Sequence, residues 1–424
     1  MNIELRWRAV ISLLALLCLT FACRAQRNEN LGFEGRPEDA RFLQHHEINP
    51  LELPKPGATR SSDNDQQIYD HPAGARLHLP AGFRISVFAE GGFGRARWLA
   101  LAPNGDIFVA DSRDGEVGIL RGVGADGKFQ QKFTFTTGLT QPFGMAFWKD
   151  YLYVAQTGEV VRFKYKSGQT AAEGKPEHIA DLTPSGYNQH WTRDIAFNPA
   201  GTKMYVTVGS SNNDSPESDP RRAAISEYNP DGSGHRIYAG GLRNAVGIAF
   251  EPKTGKLWAT VNERDGLGDD LPPDYFTSVQ DGGFYGWPYA YIGKNPDPDN
   301  ASKRPDLVQK TITPDVLIQA HSAALGLAFY NGKMFPQDHQ GDALISLHGS
   351  WNRAEPTGYK IVRVRMKDGK PVGGYDDFIT GWFADGKVWG RPVGLLVMQD
   401  GSLLIVDDGG KRIWRVTYEA GGRK

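Results

Sequence analysis

The pair Arg243-Asn244 stands directly before an apolar, strand-like segment, "AVGIAF" (245–250). A guanidinium group beside a buried strand is costly unless an anion pairs with it, so the pair predicts an anionic ligand. Planar carboxylates suit the fork of an arginine best. His190, in the polar turn "YNQHWTRD", adds a group that could serve as a general base near neutral pH. A lone histidine is more often structural, and the sequence leaves both interpretations open.

An oxygen-rich loop, "VNERDGLGDDLPPDYF" (261–276), follows the same strand region. Hard oxygen ligands in a flexible loop are typical of a calcium site, although the spacing is not that of an EF-hand and a solvated acidic loop is the alternative. The candidate ligands are loop carbonyls and the side chains of Asn262, Glu263, Asp265, Asp269, Asp270 and Asp274.

The usual parts of several other chemistries are missing from the sequence. It contains no Gly-x-Ser-x-Gly, no P-loop and no dinucleotide fingerprint in a strand–turn–helix context. Hydrolysis by a serine nucleophile and nicotinamide chemistry are therefore disfavoured. The net charge is −1 and no basic block occurs, which makes nucleic acid an unexpected partner.

A repeat must position these residues. An apolar quartet, a Pro/Gly turn and an alternating strand recur six times, for example in "GIAFEPKTGKLWATV" (247–261). The quartets end at residues 102, 147, 197, 250, 329 and 397, in steps of 45, 50, 53, 79 and 68. Units of this length predict an all-β, six-bladed β-propeller of four-stranded antiparallel blades, with insertions at the two long steps. The strand 82–91 would complete the last blade. Two packed sandwich domains are the alternative.

In a propeller the innermost strands begin at one mouth of the central channel, so the residues before the quartets should meet there. We expect a basic, hydrogen-bonding pocket, with some of the arginines being structural. Its predicted members are Arg95, Arg97, Gln141, His190, Arg193, Arg243, Asn244, His321, Ser322 and Arg391.

The remaining segments define the predicted domain boundaries. Arg6 and Arg8 precede an apolar run and small residues, which indicates a signal peptide over residues 1–25 and export to the periplasm, an N-terminal anchor being the alternative. Residues 26–78 read as a polar leader, 79–418 as the propeller and 419–424 as a tail. Both cysteines, Cys18 and Cys23, fall in the signal segment, so the mature domain has no disulfide and no haem-attachment motif. Acylation of Cys23 would make the protein a lipoprotein. We expect contact with a membrane only in that case.

The segments "YNQHWTRDIAFNPAG", "GLRNAVGIAFEP", "DGGFYGWPYAYIG" and "HGSWNR" resemble the quinoprotein glucose/L-sorbosone dehydrogenase family over roughly residues 80–418. That family comprises six-bladed propellers that carry pyrroloquinoline quinone (PQQ) and calcium. The resemblance implies that His190 is the catalytic base and that Arg243 and Asn244 contact the quinone. It also implies that the backbone carbonyls of Glu263 and Arg264, next to Asp265, hold the calcium.

Further cofactor contacts follow from the same resemblance. Arg391 matches an arginine that binds the quinone carboxylates, and Gln141 matches a glutamine near the cofactor. Arg353 lies near the position of a cofactor-binding lysine, where an arginine is a departure from the glucose enzymes. The long loop at 261–276 is closer to the sorbosone-type branch, which leaves the sugar open.

The implied reaction is oxidation of an aldose or sugar aldehyde to a lactone or acid. His190 would take a hydroxyl proton, hydride would pass to the quinone, and calcium and Arg243 would stabilise the negative charge that develops. We expect Tyr187, Trp191, Trp351 and Trp389 to line the substrate cleft, with core packing as the alternative for each. Electrons would leave to an external acceptor such as a cytochrome. A calcium-dependent propeller lactonase and a non-catalytic glycan- or protein-binding propeller are the competing interpretations.

Overall fold

The computed structural model describes residues 31–183 and 190–420. The chain divides into two compact units, residues 1–32 and residues 33–424. The predicted signal peptide with both cysteines, Tyr187 and most of the C-terminal tail lie outside the described residues. Among the described residues, no helix is both long and apolar enough to cross a membrane.

The second unit is a six-bladed β-propeller, and this confirms the fold class predicted from the repeat. Each blade is an antiparallel sheet, and its strands are named in order from the axis outward. Blade 1 consists of Ala96–Leu101, Ile107–Asp111, Glu116–Val123 and Phe129–Thr136. Blade 2 consists of Met145–Trp148, Tyr151–Ala155, Glu159–Lys164 and Glu177–Asp181. Blade 3 consists of Ile195–Phe197, Met204–Val208, Ala224–Tyr228 and Arg236–Gly240, with Gly283–Phe284 added in parallel at its edge.

Of the remaining three blades, blades 4 and 5 contain the predicted insertions. Blade 4 consists of Asn244–Phe250, Leu257–Asn262, Asp274–Ser278 and Val316–Ile318. Blade 5 consists of Ala324–Phe329, Ala343–Leu347, Lys360–Val364 and Tyr375–Ile379, with His45–His46 at its edge. Blade 6 consists of Pro392–Val397, Leu403–Asp407, Arg412–Tyr418 and Phe83–Glu90.

Short elements decorate the loops. The hairpins are Ala290–Tyr291 with Asn295–Pro296, Met366–Lys367 with Lys370–Pro371, and Phe383–Ala384 with Lys387–Val388. The α-helix in the described part of the chain is Pro305–Lys310, and 3₁₀ turns span Pro37–Phe42, Ala301–Lys303 and Gln337–His339. A further strand spans Gly32–Glu34.

The ring is closed by a strand from the beginning of the domain. Phe83–Glu90 pairs antiparallel with Arg412–Tyr418, so that Phe83 lies opposite Tyr418 and Glu90 opposite Arg412. The last blade is therefore built from both ends of the propeller sequence, as expected for residues 82–91. This closure removes the two free sheet edges that an open ring would expose.

The innermost strands touch their neighbours all the way around the axis. Close approach requires glycine: a Cβ on Gly247 would lie 2.3 Å from the carbonyl oxygen of Leu325, and one on Gly326 would lie 2.0 Å from that of Val393. The glycine that recurs in the apolar quartets is thus explained by backbone contact between adjacent blades.

Apolar side chains fill the space between blades. Phe108 and Phe135 of blade 1 pack edge-on at 5.1 Å, and Phe135 packs against Phe163 of blade 2 at 5.7 Å. Both faces of each sheet are buried in this way, which fixes the ends of the inner strands at the axis. Parts of the leader pair with the propeller: Ile68 with Val388, and His78 with Thr380.

Candidate active site

The first two strands of each blade form a hairpin whose open end lies at one mouth of the channel. In blade 4 this register places Asn244, at the start of the first strand, opposite Asn262, at the end of the second. Residues before first strands and residues after second strands therefore converge. They enclose an axial cavity of about 200 Å³, whose lining includes the predicted site residues His190, Trp191, Arg243, Asn244, Glu263, Asp265, Trp351 and Arg391.

A second, outer cavity of about 630 Å³ adjoins the first. Gln141 lies here and not in the axial cavity, and its side-chain carbonyl accepts a hydrogen bond from Thr157 at 3.1 Å. Four residues line both cavities: Arg95, Trp191, His348 and Arg391. The predicted site residues are thus divided between two adjoining spaces.

His190 is fixed by the end of the second strand of blade 3. Its Nδ1 lies 3.0 Å from both the carbonyl oxygen and the Oγ of Ser210. Because Ser210 Oγ donates its own proton to the carbonyl of Asn212, both Ser210 atoms act as acceptors toward the ring. Nδ1 therefore carries the proton, and Nε2 is the basic nitrogen of the neutral ring.

The electrostatics keep His190 neutral. Burial, and then the positive charge of Arg243, hold the pKa of His190 well below its usual value. Arg193 stabilises the same turn by donating to the carbonyl oxygens of His190 and Thr192 at 2.8 and 2.7 Å. Arg193 is thus one of the structural arginines of the predicted set, and it acts on the backbone of His190.

Arg243 is held rigidly at the cavity wall. Its Nη1 donates to the carbonyl of Glu263 at 2.7 Å, and its Nε and Nη2 donate to the carbonyl and side chain of Asn213 at 3.0 Å. Asp265 is its ion-pair partner at 3.4 Å. The guanidinium is 4 % exposed and cannot swing away, so its charge is preorganised beside Asn244.

Gly209 makes room for two site residues at once. A Cβ there would lie 2.3 Å from Asn244 Oδ1 and 2.9 Å from His190 Cβ. The absence of a side chain at this position lets the amide and the imidazole lie next to each other, on adjacent blades.

Of the groups predicted to bind calcium, the Glu263 carbonyl and the Asp265 carboxylate are engaged with protein groups. The Glu263 carbonyl accepts from Arg243, and Asp265 contacts Arg243 and Asn352. The Arg264 side chain forms ion pairs with Asp214 and Asp297. Within residues 31–183 and 190–420, no group of three or more His, Cys, Asp or Glu side chains is arranged to hold a metal ion. This part of the chain thus contains no preformed side-chain cage for calcium.

A buried charge network connects the two cavities, and two of its members, Asp408 and His348, were not predicted. Asp408, with its carboxylate 4 % exposed, pairs with Arg97 at 2.6 Å and Arg95 at 3.1 Å, and it contacts His348 Nε2 at 2.8 Å. Burial alone would raise the pKa of Asp408, but His348 and Arg97 hold it well below its usual range. Arg391 donates to the carbonyls of His348 and Gly349, which orients its guanidinium toward this network.

Several buried polar atoms of the axial cavity have no partner within the described residues. They are Arg97 Nε, Thr192 Oγ1, Asn244 Oδ1 and Glu263 Oε1. Burial raises the pKa of Glu263 to about 8, so this carboxyl is protonated at neutral pH. Four arginines then face three aspartates: Arg95, Arg97, Arg243 and Arg391 against Asp265, Asp274 and Asp408. A cationic excess with an unpaired buried donor fits a planar polycarboxylate such as PQQ.

Arg353 lies elsewhere. Its Nη1 donates to the carbonyl of Asp269 at 2.7 Å and its Nη2 pairs with Asp270 at 2.7 Å, and it lines neither cavity. Its neighbour Asn352 lines the axial cavity instead. Arg353 thus fixes the acidic loop of blade 4.

Trp389 corrects a sequence-based expectation. It is fully buried, donates its Nε1–H to the carbonyl of Gly381 at 2.7 Å and packs edge-on against Trp414 at 6.1 Å, so it belongs to the core and not to the cleft. Trp191 and Trp351, by contrast, line the axial cavity, and Trp351 is 38 % exposed.

We expect Trp389→Phe to lower the free energy of unfolding by about 1–2 kcal/mol, through lost packing and a lost buried hydrogen bond. Urea unfolding measures the change, and the affinity for any sugar ligand should not move. A change in sugar affinity without a decrease in the free energy of unfolding would indicate that Trp389 lines the substrate cleft.

Comparison with known proteins gives a family and a fold. The model of the family described as Glucose / Sorbosone dehydrogenase matches residues 149–373. An uncharacterized protein of Borreliella burgdorferi is 29 % identical over 355 residues, which cover 81 % of this chain and 91 % of that protein.

Two solved structures have the same architecture. The holo form of the PQQ domain of pyranose dehydrogenase from Coprinopsis cinerea superposes with a TM-score of 0.69 at 19 % identity, over 83 % of this chain and 100 % of that one. A carbohydrate-active enzyme of family AA12 from Trichoderma reesei superposes with a TM-score of 0.70 at 20 % identity, over 84 % and 100 %. At such identities the likeness concerns the fold.

Proposed function

Because the chain belongs to the glucose/sorbosone dehydrogenase family, we propose that it oxidises an aldose or related sugar aldehyde with PQQ held in the axial cavity. The observation that supports this most is the convergence of His190, Arg243, Asn244 and Arg391 on one cavity from three parts of the chain. Lactone or acid would be the product.

The chain's own residues would bind and orient the cofactor. Arg391, Arg97 and Arg95 offer guanidinium donors for carboxylates, while Arg243 and Asn244 line the same cavity at the start of blade 4. PQQ, when bound, supplies an ortho-quinone that accepts hydride from the sugar carbon. Because Arg243 is already fixed by Asn213 and Glu263, its charge would need no reorganisation during the reaction.

His190 would take the proton of the sugar hydroxyl on Nε2. Its Nδ1–H stays bonded to Ser210, which holds the ring in the tautomer that a general base needs. Trp191, next in sequence, lines both cavities and would place the sugar beside the base.

Calcium stays a prediction of the family resemblance. Carbonyls of the 261–276 loop and the cofactor's own oxygens would have to complete its coordination, because side chains of the described residues do not. The roles assigned to His190, Arg243 and Trp191 do not depend on it.

The direct test is titration of the purified protein with PQQ, with and without Ca²⁺, followed by dye-linked oxidation of a panel of aldoses. We expect saturable PQQ binding by absorbance and sugar-dependent bleaching of the dye. A protein that binds no PQQ under either condition contradicts the proposed function. A requirement for Ca²⁺ in binding would support the calcium prediction.

A matched pair of variants separates the two arginines assigned to the cofactor by resemblance. Arg391→Gln should weaken PQQ binding by about tenfold or more, since a charge-assisted hydrogen bond is lost. Arg353→Gln should leave the affinity nearly unchanged because its guanidinium is engaged by Asp269 and Asp270. Equilibrium titration measures both, and the reverse order would reassign the carboxylate contact to Arg353.

The cellular setting is also proposed. Residues 1–25 would direct export to the periplasm, with acylation at Cys23 as the route to a membrane. Electrons would pass to a separate carrier such as a cytochrome, because the sequence has no haem-attachment motif. N-terminal sequencing and mass measurement of the mature protein would show whether cleavage and lipidation occur.

A further inference from the structure

The outer cavity carries a positive charge of its own. Its lining holds four cationic side chains, Arg95, Arg113, Arg391 and Lys411, and one carboxylate, Asp408. Arg95 and Arg391 also face the axial cavity, but Arg113 and Lys411 line only the outer one. A ligand in the axial cavity therefore leaves these two cations without an anion.

Asp408 does not neutralise them. Its carboxylate is already engaged by Arg97, Arg95 and His348, at 2.6, 3.1 and 2.8 Å. Arg113 and Lys411 are exposed, and their side chains make no hydrogen bond or ion pair within the part of the chain that the structure describes. Arg113 and Lys411 thus leave two positive charges in the outer cavity that no carboxylate of the described residues pairs with.

The same cavity has surfaces that suit a sugar ring. The indole of Trp191 lines the cavity, and the guanidinium groups of Arg97 and Arg95 lie 5.2 and 5.9 Å from its ring centre. The amide nitrogen of Gln141 makes no hydrogen bond among the described residues, whereas its oxygen is held by Thr157. An aromatic wall with nearby polar donors is a typical arrangement for binding a polyol.

The geometry points to an aldose that carries an anionic group, a carboxylate or a phosphate, as the substrate class of this site. The inference rests on the proposed function. The reacting carbon would lie toward His190, and the anion would lie against Arg113 and Lys411. A neutral sugar would leave both cations unpaired and would gain nothing from the electrostatic field that draws anions into the cavity.

The test compares glucose, glucuronate and glucose 6-phosphate with the PQQ-loaded protein at low and high salt. We expect kcat/KM for at least one anionic sugar to exceed that for glucose by about tenfold at low salt, and the advantage to shrink at high salt. Glucuronate and glucose 6-phosphate separate a carboxylate-binding site from a phosphate-binding site. Equal rates for all three sugars overturn the inference while leaving the proposed function intact.

The double variant Arg113→Gln/Lys411→Gln locates the effect. In this variant, the decrease in kcat/KM for the preferred anionic sugar should exceed the decrease for glucose by about tenfold. Lys367→Gln/Lys370→Gln removes the same charge from a hairpin of blade 5 and should retain the wild-type preference. An equal loss of preference in the two double variants would mean that net charge, not the outer cavity, selects the anion.

A binding measurement makes the result independent of turnover. Methyl glucuronide and methyl glucoside have a blocked anomeric hydroxyl, so calorimetry with either reports affinity alone. We expect the glucuronide to bind more tightly, and the Arg113/Lys411 variant to lose about tenfold in that affinity. If this holds but no aldose is oxidised, the proposed function fails and the binding assignment stands. If the two glycosides bind alike, the inference fails.

Discussion

We expect His190→Ala to lower the turnover of the PQQ-loaded protein by about 10²–10⁴-fold, the range that a positioned general base contributes. The variant removes the nitrogen that would accept the sugar's proton, while Ser210, Arg193 and Arg243 keep their contacts with Asn212, Thr192 and Asn213. Turnover in a dye-linked assay with saturating sugar measures the loss, and PQQ titration verifies that the cofactor still binds.

The pH profile supplies a second readout for His190. Because burial and Arg243 hold its pKa well below the usual 6.5, the ring stays neutral as the pH falls from 7.5 to 6.5, and wild-type kcat should not decline over that interval. His178→Ala, on an exposed strand of blade 2, is the matched control and should keep full activity. Full activity in His190→Ala removes the residue from the role of base.

The fold could be predicted because its repeat has a physical cause. Each apolar quartet with its glycine marks an innermost strand, where a Cβ on Gly247 or Gly326 would strike the next blade. Closure by Phe83–Glu90 was predictable too, since an unpaired strand preceded the first copy. The order of the outer strands around the insertions in blades 4 and 5 required the structure.

The site prediction used mainly the residues at the start of the first strand of each blade. Residues that precede the first strands led to Arg243, Asn244 and Arg391, but residues that follow the second strands were considered only at 261–276. His348 follows Ala343–Leu347 and Asp408 follows Leu403–Asp407, and both come back to the same mouth. Extending the rule to every second strand would have found them from the sequence.

Side-chain direction is what the sequence could not supply. Arg353 and Asn352 are adjacent, yet Asn352 lines the cavity and Arg353 turns to Asp269 and Asp270. The sequence pattern predicts an arginine near the cofactor but does not predict the direction of its side chain. That direction depends on acidic partners from a loop distant in sequence, Asp269 and Asp270.

Asp408→Asn should lower the free energy of unfolding by about 3–5 kcal/mol at neutral pH, because it leaves the buried charge of Arg97 without its partner. Asp400→Asn is the matched control in the same blade: its partner Arg415 pairs with a carboxylate that is 41 % exposed, so the cost should stay below about 1 kcal/mol. Urea unfolding of both variants, without cofactor, measures the difference.

The pH dependence identifies the charge of Asp408 as the cause. Its folded pKa lies well below the unfolded value, so its contribution to stability is present above the unfolded pKa and is lost as the pH falls through the folded one. The gap between wild type and Asp408→Asn should therefore be constant between pH 5 and 8 and narrow only below about pH 4. Equal free energies of unfolding for the wild type and Asp408→Asn at pH 7 would contradict a stabilising role of the Asp408 network.

Because Asp408→Asn leaves Arg95 and Arg97 without their carboxylate, added PQQ should stabilise the variant more than it stabilises the wild type. Such a difference would link the buried network to the anion that the cavity is proposed to bind.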